Sequence, residues 1–351
     1  MQLEEIIKEI KPLDESAMQT ARARQNTLTK PRGSLGRLEE LSIQLAGMIA
    51  NPFPSMERRA VIVMAADHGV VLEGVSAYPA EVTPQMVLNF LGGGAAINVL
   101  ARQAGARIIV VDMGVAADID DPGAKLISHK MGFGTANLAK GPAMTPEQAR
   151  ESIQRGIEIA EAEIERGVDI LATGDMGIGN TTASAAIACA LMNRNPEEIA
   201  GRGTGVDDDG LRRKIDVIAR SLEINQPDRN DALDVLTKVG GFEIGGLVGV
   251  ILASAASRKP VVVDGFISTA AAMLAMSLAP AARDYMIAAH ASQERGHKLM
   301  LEWLGLNPLL DLNLRLGEGT GAVLAFHLIE ASARILCEMA TFDEAGVSDK
   351  E

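Results

Sequence analysis

From about residue 58 to residue 293, short apolar runs rich in β-branched residues alternate with longer segments of helical periodicity. The apolar runs are continuous rather than alternating, which is typical of parallel strands covered on both faces. Because the intervening segments favour helices, the pattern predicts an α/β fold with an open parallel sheet flanked by helices. The predicted strands are Val61–Ala65, Ile108–Val111, Asp169–Ala172, Val261–Val263 and a weaker one near Tyr285–Ala289.

Both ends of the chain favour helices instead. Apolar residues at helical spacing mark one face between Leu3 and Ile10 and another between Leu38 and Met48. After residue 293 the chain is helical again, with a glycine-rich break at Gly317–Gly321 and an expected loose tail from Asp343 to Glu351. We predict a small helical domain formed by residues 1–55 and 294–351, and a large catalytic α/β domain over residues 56–293.

Several segments carry signals for helix starts. Thr145-Pro146-Glu147-Gln148 combines an N-cap threonine with a proline at the first helical position. We expect Asn180-Thr181-Thr182 to cap an alanine-rich helix, and Asp207–Asp209 to begin the helix that carries Lys214. The uncharged stretch Gly265–Ala282 is close to membrane-spanning length, but it follows a strand-like run, so we predict a buried helix.

Charge and cysteine usage narrow the class of protein. A net charge of −13 without clustered Lys and Arg argues against nucleic-acid binding, although a phosphorylated substrate could still bind locally. Cys189 and Cys337 lie in apolar helical stretches and are expected to be buried, reduced thiols. The acidic, amphipathic N-terminus is unlike a signal peptide, so we expect a cytoplasmic protein that interacts with no membrane.

Four predicted strand ends carry an acidic residue or a glycine turn. They are Asp67-His68-Gly69, Asp112-Met113-Gly114, Gly174-Asp175-Met176-Gly177 and Asp264-Gly265. Any one aspartate could simply cap the next helix. As a set they indicate a shared cleft, because ligands of open α/β sheets bind outside the carboxyl ends of the strands.

Two glycine-rich loops are suited to phosphate. Gly174–Thr182 lets the backbone approach a ligand and directs helix N–H groups at it, without the lysine of a Walker loop. Gly201–Gly205 is the second, with Lys214 about two helical turns further on; taken alone, Lys214 would be a solvated surface lysine.

Glu318 lies between glycines in Arg315-Leu316-Gly317-Glu318-Gly319. A carboxylate flanked by apolar chain could have a raised pKa and accept a proton near neutrality; the alternative is a turn residue that faces water. The five histidines and two cysteines show no metal-ligand spacing, and no GxSxG nucleophile motif occurs. We therefore predict neither a metal nor another cofactor.

Six strings occur together, in order: Lys30–Glu39, Ala66–Val70, Gly174–Thr182, Lys238–Glu243, Val263–Phe266 and Arg315–Gly321. With them the chain resembles the nicotinate-nucleotide–dimethylbenzimidazole phosphoribosyltransferase family from about residue 10 to residue 340. The resemblance implies a Rossmann-like sheet, a small domain made from both chain ends, and a homodimer. It also implies transfer of ribose 5-phosphate from nicotinate mononucleotide to 5,6-dimethylbenzimidazole with inversion. The products are nicotinate and α-ribazole 5′-phosphate, which provides the lower ligand of cobalamin.

The resemblance supplies roles for particular residues. Glu318 matches the general base, and Asp175 an acidic catalytic position that is Glu in some members. The expected contacts to the ribose phosphate are Gly177, Lys214 and Ser292. The expected pocket for the incoming base is formed by Tyr78, Met86 and Leu316, of which the first two stand where one branch has Ser and Gln. The predicted cleft adds Gly174, Asn180, Thr181 and Asp264 as substrate-binding residues.

Three other functions stay open at this point. The acceptor could be another aromatic base, such as adenine or a phenol, which a panel of bases would reveal. Water could replace the base, and the product would then be free ribose phosphate. A non-catalytic nucleotide-sensing module would bind nicotinate mononucleotide without consuming it.

Overall fold

The computed structural model describes residues 1–121 and 123–348. Its strands are β1 Arg59–Ala66, β2 Ala106–Gly114, β3 Leu126–Ser128, β4 Ile170–Met176, β5 Val261–Val263 and β6 Met286–Ala288. The helices are α1 Leu3–Glu9, α2 Glu15–Gln25, α3 Arg37–Ile49, α4 Val82–Gly92, α5 Ala96–Ala104, α6 Pro146–Glu165, α7 Asn180–Met192, α8 Pro196–Ile199, α9 Asp208–Asn225, α10 Ala232–Val239, α11 Phe242–Ala256, α12 Phe266–Leu278, α13 His297–Leu304, α14 Thr320–Glu338 and α15 Phe342–Ala345. Short 3-10 turns occupy Gly69–Glu73 and Pro280–Tyr285.

The six described strands form one parallel sheet in the order β3-β2-β1-β4-β5-β6. This is the strand order of doubly wound nucleotide-binding sheets, and it confirms the predicted fold class. The order reverses between β1 and β4, so the crevice at their carboxyl ends is the expected ligand site. All five predicted strands are confirmed, with bounds that differ by a few residues; the edge strand β3 was missed.

The centre of the sheet is fully covered. All eight residues of β1 are buried, as parallel strands with helices on both faces require. Helices α6 and α11 lie on one face and approach each other closely, because a Cβ at Gly156 would overlap the carbonyl of Gly246. The pairing of β1 with β4 places Met64 opposite Asp175, which brings the acidic end of β4 to the switch point.

The two chain ends pack together. The Arg24 side chain in α2 donates from Nε to the carbonyl of Leu336 in α14 at 2.7 Å. Leu28 forms an antiparallel bridge with Thr341, and a small apolar cluster joins α2, α3 and α14. Helix α14 is long and apolar enough, by length and composition, to cross a membrane, but it lies against α3 and α5 with much of its surface buried. The boundaries at residues 55/56 and 293/294 stay predictions.

Three local predictions need correction. Asn180 does not cap α7: Gly179 precedes the helix with φ +96°, and the Asn180 side chain donates to Asp175 instead. The expected tail contains helix α15, capped by Thr341, while residues 349–351 of that prediction lie outside the described residues. Cys337 is only half-buried, whereas Cys189 is buried; both are free thiols.

The other predicted helix starts are confirmed. The Thr145 hydroxyl accepts the N–H of Gln148 and begins α6, and the Asp207 carboxylate accepts the N–H of Gly210 at the start of α9. The stretch Gly265–Ala282 contains α12, which is buried along most of its length.

Candidate active site

A cleft of about 490 Å³ opens at the carboxyl ends of β4, β5 and β6. The predicted site residues that line it are Tyr78, Asp175, Gly177, Asn180, Thr181, Ser292 and Leu316. The remaining five, which are Met86, Gly174, Lys214, Asp264 and Glu318, are not part of this lining. A larger cavity of about 660 Å³ lies between the 134–148 segment and α10; it is mainly apolar and contains none of the predicted residues.

Glu318 lies in a turn of left-handed backbone next to the cleft. Its φ is +63°, between Gly317 at +83° and Gly319 at +88°, a conformation that costs a non-glycine residue roughly 1–3 kcal/mol. The residue is only 4% exposed, so the alternative of a turn residue facing water is wrong. Burial raises the pKa of the Glu318 carboxyl above 4.5, the N–H of Ile97 opposes this shift, and the charge of Asp264 adds to it. A carboxylate in this state is a stronger proton acceptor than a solvated one.

The turn around Glu318 is held by backbone contacts. Gly174 at the end of β4 has no side chain, and a Cβ there would lie 2.6 Å from the Glu318 carbonyl oxygen. Asp264 follows β5 and accepts the N–H groups of Gly319 at 3.2 Å and Ala322 at 2.9 Å. Its carboxylate therefore binds the positive end of α14, which favours negative charge. Glu318 is likewise anchored at the start of α5, where Oε2 accepts the Ile97 N–H at 3.3 Å.

Asp175 is a buried carboxyl group in the cleft wall. Its Oδ2 accepts from Asn180 Nδ2 at 3.0 Å, while Oδ1 has no hydrogen-bond partner among the described residues. Burial raises the pKa of Asp175 well above 3.8, and the negative charges of Asp264 and Glu243 raise it further. The group therefore tends to keep its proton, and it can donate a hydrogen bond as well as accept one.

Lys214 is 1% exposed, which contradicts the solvated surface lysine that its position alone suggested. Its Nζ donates to Thr181 Oγ1 at 2.7 Å and lies 3.0 Å from where a Cβ of Gly203 would be. Burial lowers the pKa of Lys214 from 10.5 to about 8, and the charge of Glu294 opposes that shift. The ammonium group therefore lies behind the N-terminus of α7, where phosphate groups are commonly bound.

Ser292 belongs to a chain of hydrogen bonds beneath the cleft. Its N–H donates to His297 Nδ1 at 2.9 Å, and His297 Nε2 lies 2.8 Å from Thr269 Oγ1. Since the Thr269 hydroxyl donates to the Gly265 carbonyl, His297 must be the donor to Thr269, which fixes the Nε2–H tautomer. Burial lowers the pKa of His297 to about 3, so the ring is neutral. The Ser292 hydroxyl accepts the N–H of Glu294 and keeps its own proton for a ligand.

Of the three residues expected to bind the base, two line the cleft and one does not. Tyr78 and Leu316 line the cleft and are more than half exposed. The segment before Tyr78 is tied to the second glycine loop, because the Ala77 N–H donates to Thr204 Oγ1 at 3.0 Å. Met86 lies on α4, is half-buried against the hydrophobic core and is not part of the cleft lining. Thr83, in the first turn of α4, accepts the Ile178 N–H at 3.1 Å and so connects α4 to the 174–182 loop.

One buried pair of side chains near the cleft was not predicted from the sequence. His68 Nε2 lies 2.6 Å from Glu243 Oε1, and both side chains are fully buried. His68 packs against the 174–182 loop, and its Cβ lies 3.1 Å from where a Cβ of Gly179 would be. Each residue lies in one of the six strings, but nothing in either string indicates that the two meet. Within residues 1–121 and 123–348, no three His, Cys, Asp or Glu side chains are grouped to hold a metal ion.

The fold and the cleft together are typical of an α/β enzyme with a small-molecule site, in which a buried carboxyl group lies near hydroxyl and ammonium groups. Residues 10–347 match the model of the phosphoribosyltransferase family. A relative from Roseiflexus sp. strain RS-1, named nicotinate-nucleotide–dimethylbenzimidazole phosphoribosyltransferase, is 61% identical over 99% of this chain and 98% of its own length. A relative of the same name from Chloroflexus aurantiacus is 61% identical over 98% of each chain. The crystal structure of CobT from Thermus thermophilus superposes with a TM-score of 0.92 at 52% identity, over 95% of this chain and 100% of that one. The chain belongs to the nicotinate-nucleotide–dimethylbenzimidazole phosphoribosyltransferase family.

Proposed function

We propose that this protein transfers ribose 5-phosphate from nicotinate mononucleotide to 5,6-dimethylbenzimidazole, giving α-ribazole 5′-phosphate and nicotinate. The observation that most directly supports this proposal is the buried carboxyl group of Glu318. It is 4% exposed, has a raised pKa and lies beside a cleft lined by hydroxyl donors. Family membership makes the reaction a phosphoribosyl transfer, and the relatives' names supply the two substrates.

In the proposed reaction one ring nitrogen of the base attacks C1′ on the face opposite nicotinate. The C1′–N bond to the pyridinium breaks as the new bond forms, and its electron pair stays on the departing ring, which leaves without a proton. The second ring nitrogen of the base then gives its proton to Glu318. A general base of this kind contributes roughly 10²- to 10⁴-fold in rate, and alignment of the two substrates adds to it.

The phosphate of the nucleotide is assigned to the side of the cleft that carries donors. Thr181 and Ser292 line the cleft, the buried Lys214 donates from Nζ to Thr181 Oγ1, and α7 begins at Asn180 in the cleft wall. Gly177, also in the lining, lets the loop pack against the end of β1, because a Cβ there would overlap the Ala66 carbonyl.

The incoming base is assigned to the exposed side chains of Tyr78 and Leu316 in the cleft wall. We place it against Tyr78 and Leu316, with Met86 behind them, and next to the turn that holds Glu318. Gly174 and Asp264 support that turn, and Asp175 and Asn180 form a hydrogen-bonded pair in the cleft wall. We further propose a cytoplasmic homodimer, in keeping with the resemblance and with the absence of a disulfide among the described cysteines.

Chromatography of the products tests this function. Purified protein, nicotinate mononucleotide and 5,6-dimethylbenzimidazole should yield nicotinate and the α-riboside in equal amounts. Adenine and a phenol in place of the benzimidazole measure acceptor preference. Release of free ribose phosphate would indicate a hydrolase instead, and binding without any turnover would indicate a sensor.

A further inference from the structure

Glu294 is a buried carboxylate in the cleft wall that the mechanism above does not use. The residue lines the cleft and is 8% exposed. Its N–H donates to Ser292 Oγ at 3.3 Å, which fixes the backbone, but Oε2 has no hydrogen-bond partner among the described residues. A buried acceptor without a partner costs roughly 1–3 kcal/mol, and more when it is charged. The carboxylate therefore has capacity left for a hydrogen-bond donor.

The neighbouring glycine loop is shaped to hold this carboxylate. A Cβ at Gly201 would overlap Glu294 Oε2 and would lie 3.1 Å from its Cδ, so the carboxylate rests on bare backbone. Gly203 likewise leaves room for Lys214, whose Nζ lies 3.0 Å from where a Cβ of Gly203 would be. The loop therefore places an anion and a cation on the same wall, and the charge of Glu294 helps to keep the buried Lys214 protonated.

The chemistry of the nucleotide restricts what Glu294 can bind. The phosphate and the nicotinate carboxylate of the proposed substrate are acceptors, and both are anionic, so neither suits a carboxylate. Its hydrogen-bond donors are the 2′ and 3′ hydroxyls of the ribose. Carboxylates bind ribose hydroxyls in dinucleotide sites of the same sheet class. We propose that Glu294 binds a ribose hydroxyl of the nucleotide through its carboxylate, and so selects ribose over deoxyribose. This inference rests on the proposed function.

Kinetics with nucleotide analogues test the assignment. Nicotinate mononucleotide is compared with its 2′-deoxy and 3′-deoxy forms, using wild type and Glu294→Gln. In wild type, kcat/KM should fall roughly 10- to 100-fold for at least one deoxy analogue, as expected for a lost hydrogen bond to a charged group. Glu294→Gln keeps an acceptor oxygen but loses the charge, so it should lose part of that factor on the ribonucleotide and distinguish that analogue less than wild type does. Equal losses for Glu294→Gln on all three nucleotides would overturn the proposal.

Two further variants keep the test clear. Gly201→Ala preserves the charge but displaces the carboxylate, and it should reduce the ribose preference as Glu294→Gln does; an unchanged preference would contradict the proposal. Lys214→Ala is the matched control on the same wall. It should weaken all three nucleotides by a similar factor and keep the ribose preference, because it acts on the phosphate.

Binding measured by calorimetry without the base separates this inference from the proposed function. If wild type binds nicotinate mononucleotide more tightly than at least one deoxy form, the result supports both the role of Glu294 and the proposed function. Equal affinity for the three nucleotides removes the role of Glu294 and leaves the transferase function standing. Failure to bind any of the three removes both.

Discussion

Replacing Lys214 with methionine should stabilise the ligand-free protein near neutral pH while it weakens nucleotide binding. Burial lowers the pKa of Lys214 from 10.5 to about 8, and each pKa unit corresponds to 1.36 kcal/mol. Holding the proton in the folded state at pH 7 therefore costs about 3 kcal/mol. The hydrogen bond from Nζ to Thr181 Oγ1 offsets roughly 1–2 kcal/mol of that. Methionine fills a similar volume without a charge, so we expect a net gain of about 1–2 kcal/mol.

The lowered pKa also fixes the direction in which the free energy of unfolding changes with pH. Between pH 8 and pH 10.5 the folded chain binds fewer protons at Lys214 than the unfolded chain does. The free energy of unfolding of wild type should therefore rise with pH across this range, relative to Lys214→Met. Urea unfolding of both proteins at several pH values measures the difference, in which the contributions of other groups cancel. The two curves should converge and then cross, with a total change of about 3 kcal/mol.

Lys298→Met provides the control, because that side chain is 87% exposed. It should change the free energy of unfolding by no more than about 0.5 kcal/mol at any pH. A difference between wild type and Lys214→Met that stays constant from pH 7 to pH 10.5 would refute the reasoning, since it would mean that the ammonium is solvated. Lys214→Met should also raise the KM for nicotinate mononucleotide at least roughly 10-fold and leave the KM for the base unchanged.

Three further predictions concern single groups of the cleft. Glu318→Gln should lower kcat roughly 10²- to 10⁴-fold without weakening nucleotide binding, and it should abolish an acidic limb of the pH–rate profile whose pKa lies above 4.5; unchanged turnover would remove Glu318 as the base. Because the raised pKa of Asp175 makes the folded state bind more protons, the stability of wild type relative to Asp175→Asn should fall as pH rises above 3.8; parallel unfolding curves would contradict this. His297→Leu should raise the KM for the nucleotide but not for the base. His297→Asn should bring the KM for the nucleotide back towards the wild-type value, because the amide oxygen can accept the Ser292 N–H. No difference between the two variants would argue against a positioning role for His297.

Much of the fold could be predicted because its strands are apolar along their whole length. Val61–Val63 and Val261–Val263 are buried on both faces, so their sequences carry no polar interruption. Strand β3 has no such signal. Leu126–Ser128 pairs only with β2, at the edge of the sheet, and its side chains are partly exposed. A three-residue edge strand depends on its neighbour for its conformation, and local sequence does not encode that neighbour.

The candidate site could be predicted only where one segment carries the whole signal. The glycines around Glu318 and the 174–182 loop were identifiable, because positive φ and close backbone approach require glycine locally. Lys214 looked like a surface residue because its burial depends on Thr181 and on the 201–205 loop. His68 and Glu243 are 175 residues apart, and their contact follows from the packing of α11 against the end of β1. Such contacts arise from tertiary structure and have no local signature.

The position of the acidic groups follows from the architecture more than from any single motif. In a parallel α/β sheet, each helix that follows a strand begins at the carboxyl edge, so the positive ends of the helices gather there. Asp264 binds the start of α14, Glu318 the start of α5, and Glu243 lies in the first turn of α11. This edge therefore offsets part of the cost of buried carboxylates and offers nothing similar to a buried cation. A carboxylate is accordingly stabilised at this edge, whereas the buried Lys214 has a depressed pKa that the charge of Glu294 only partly offsets.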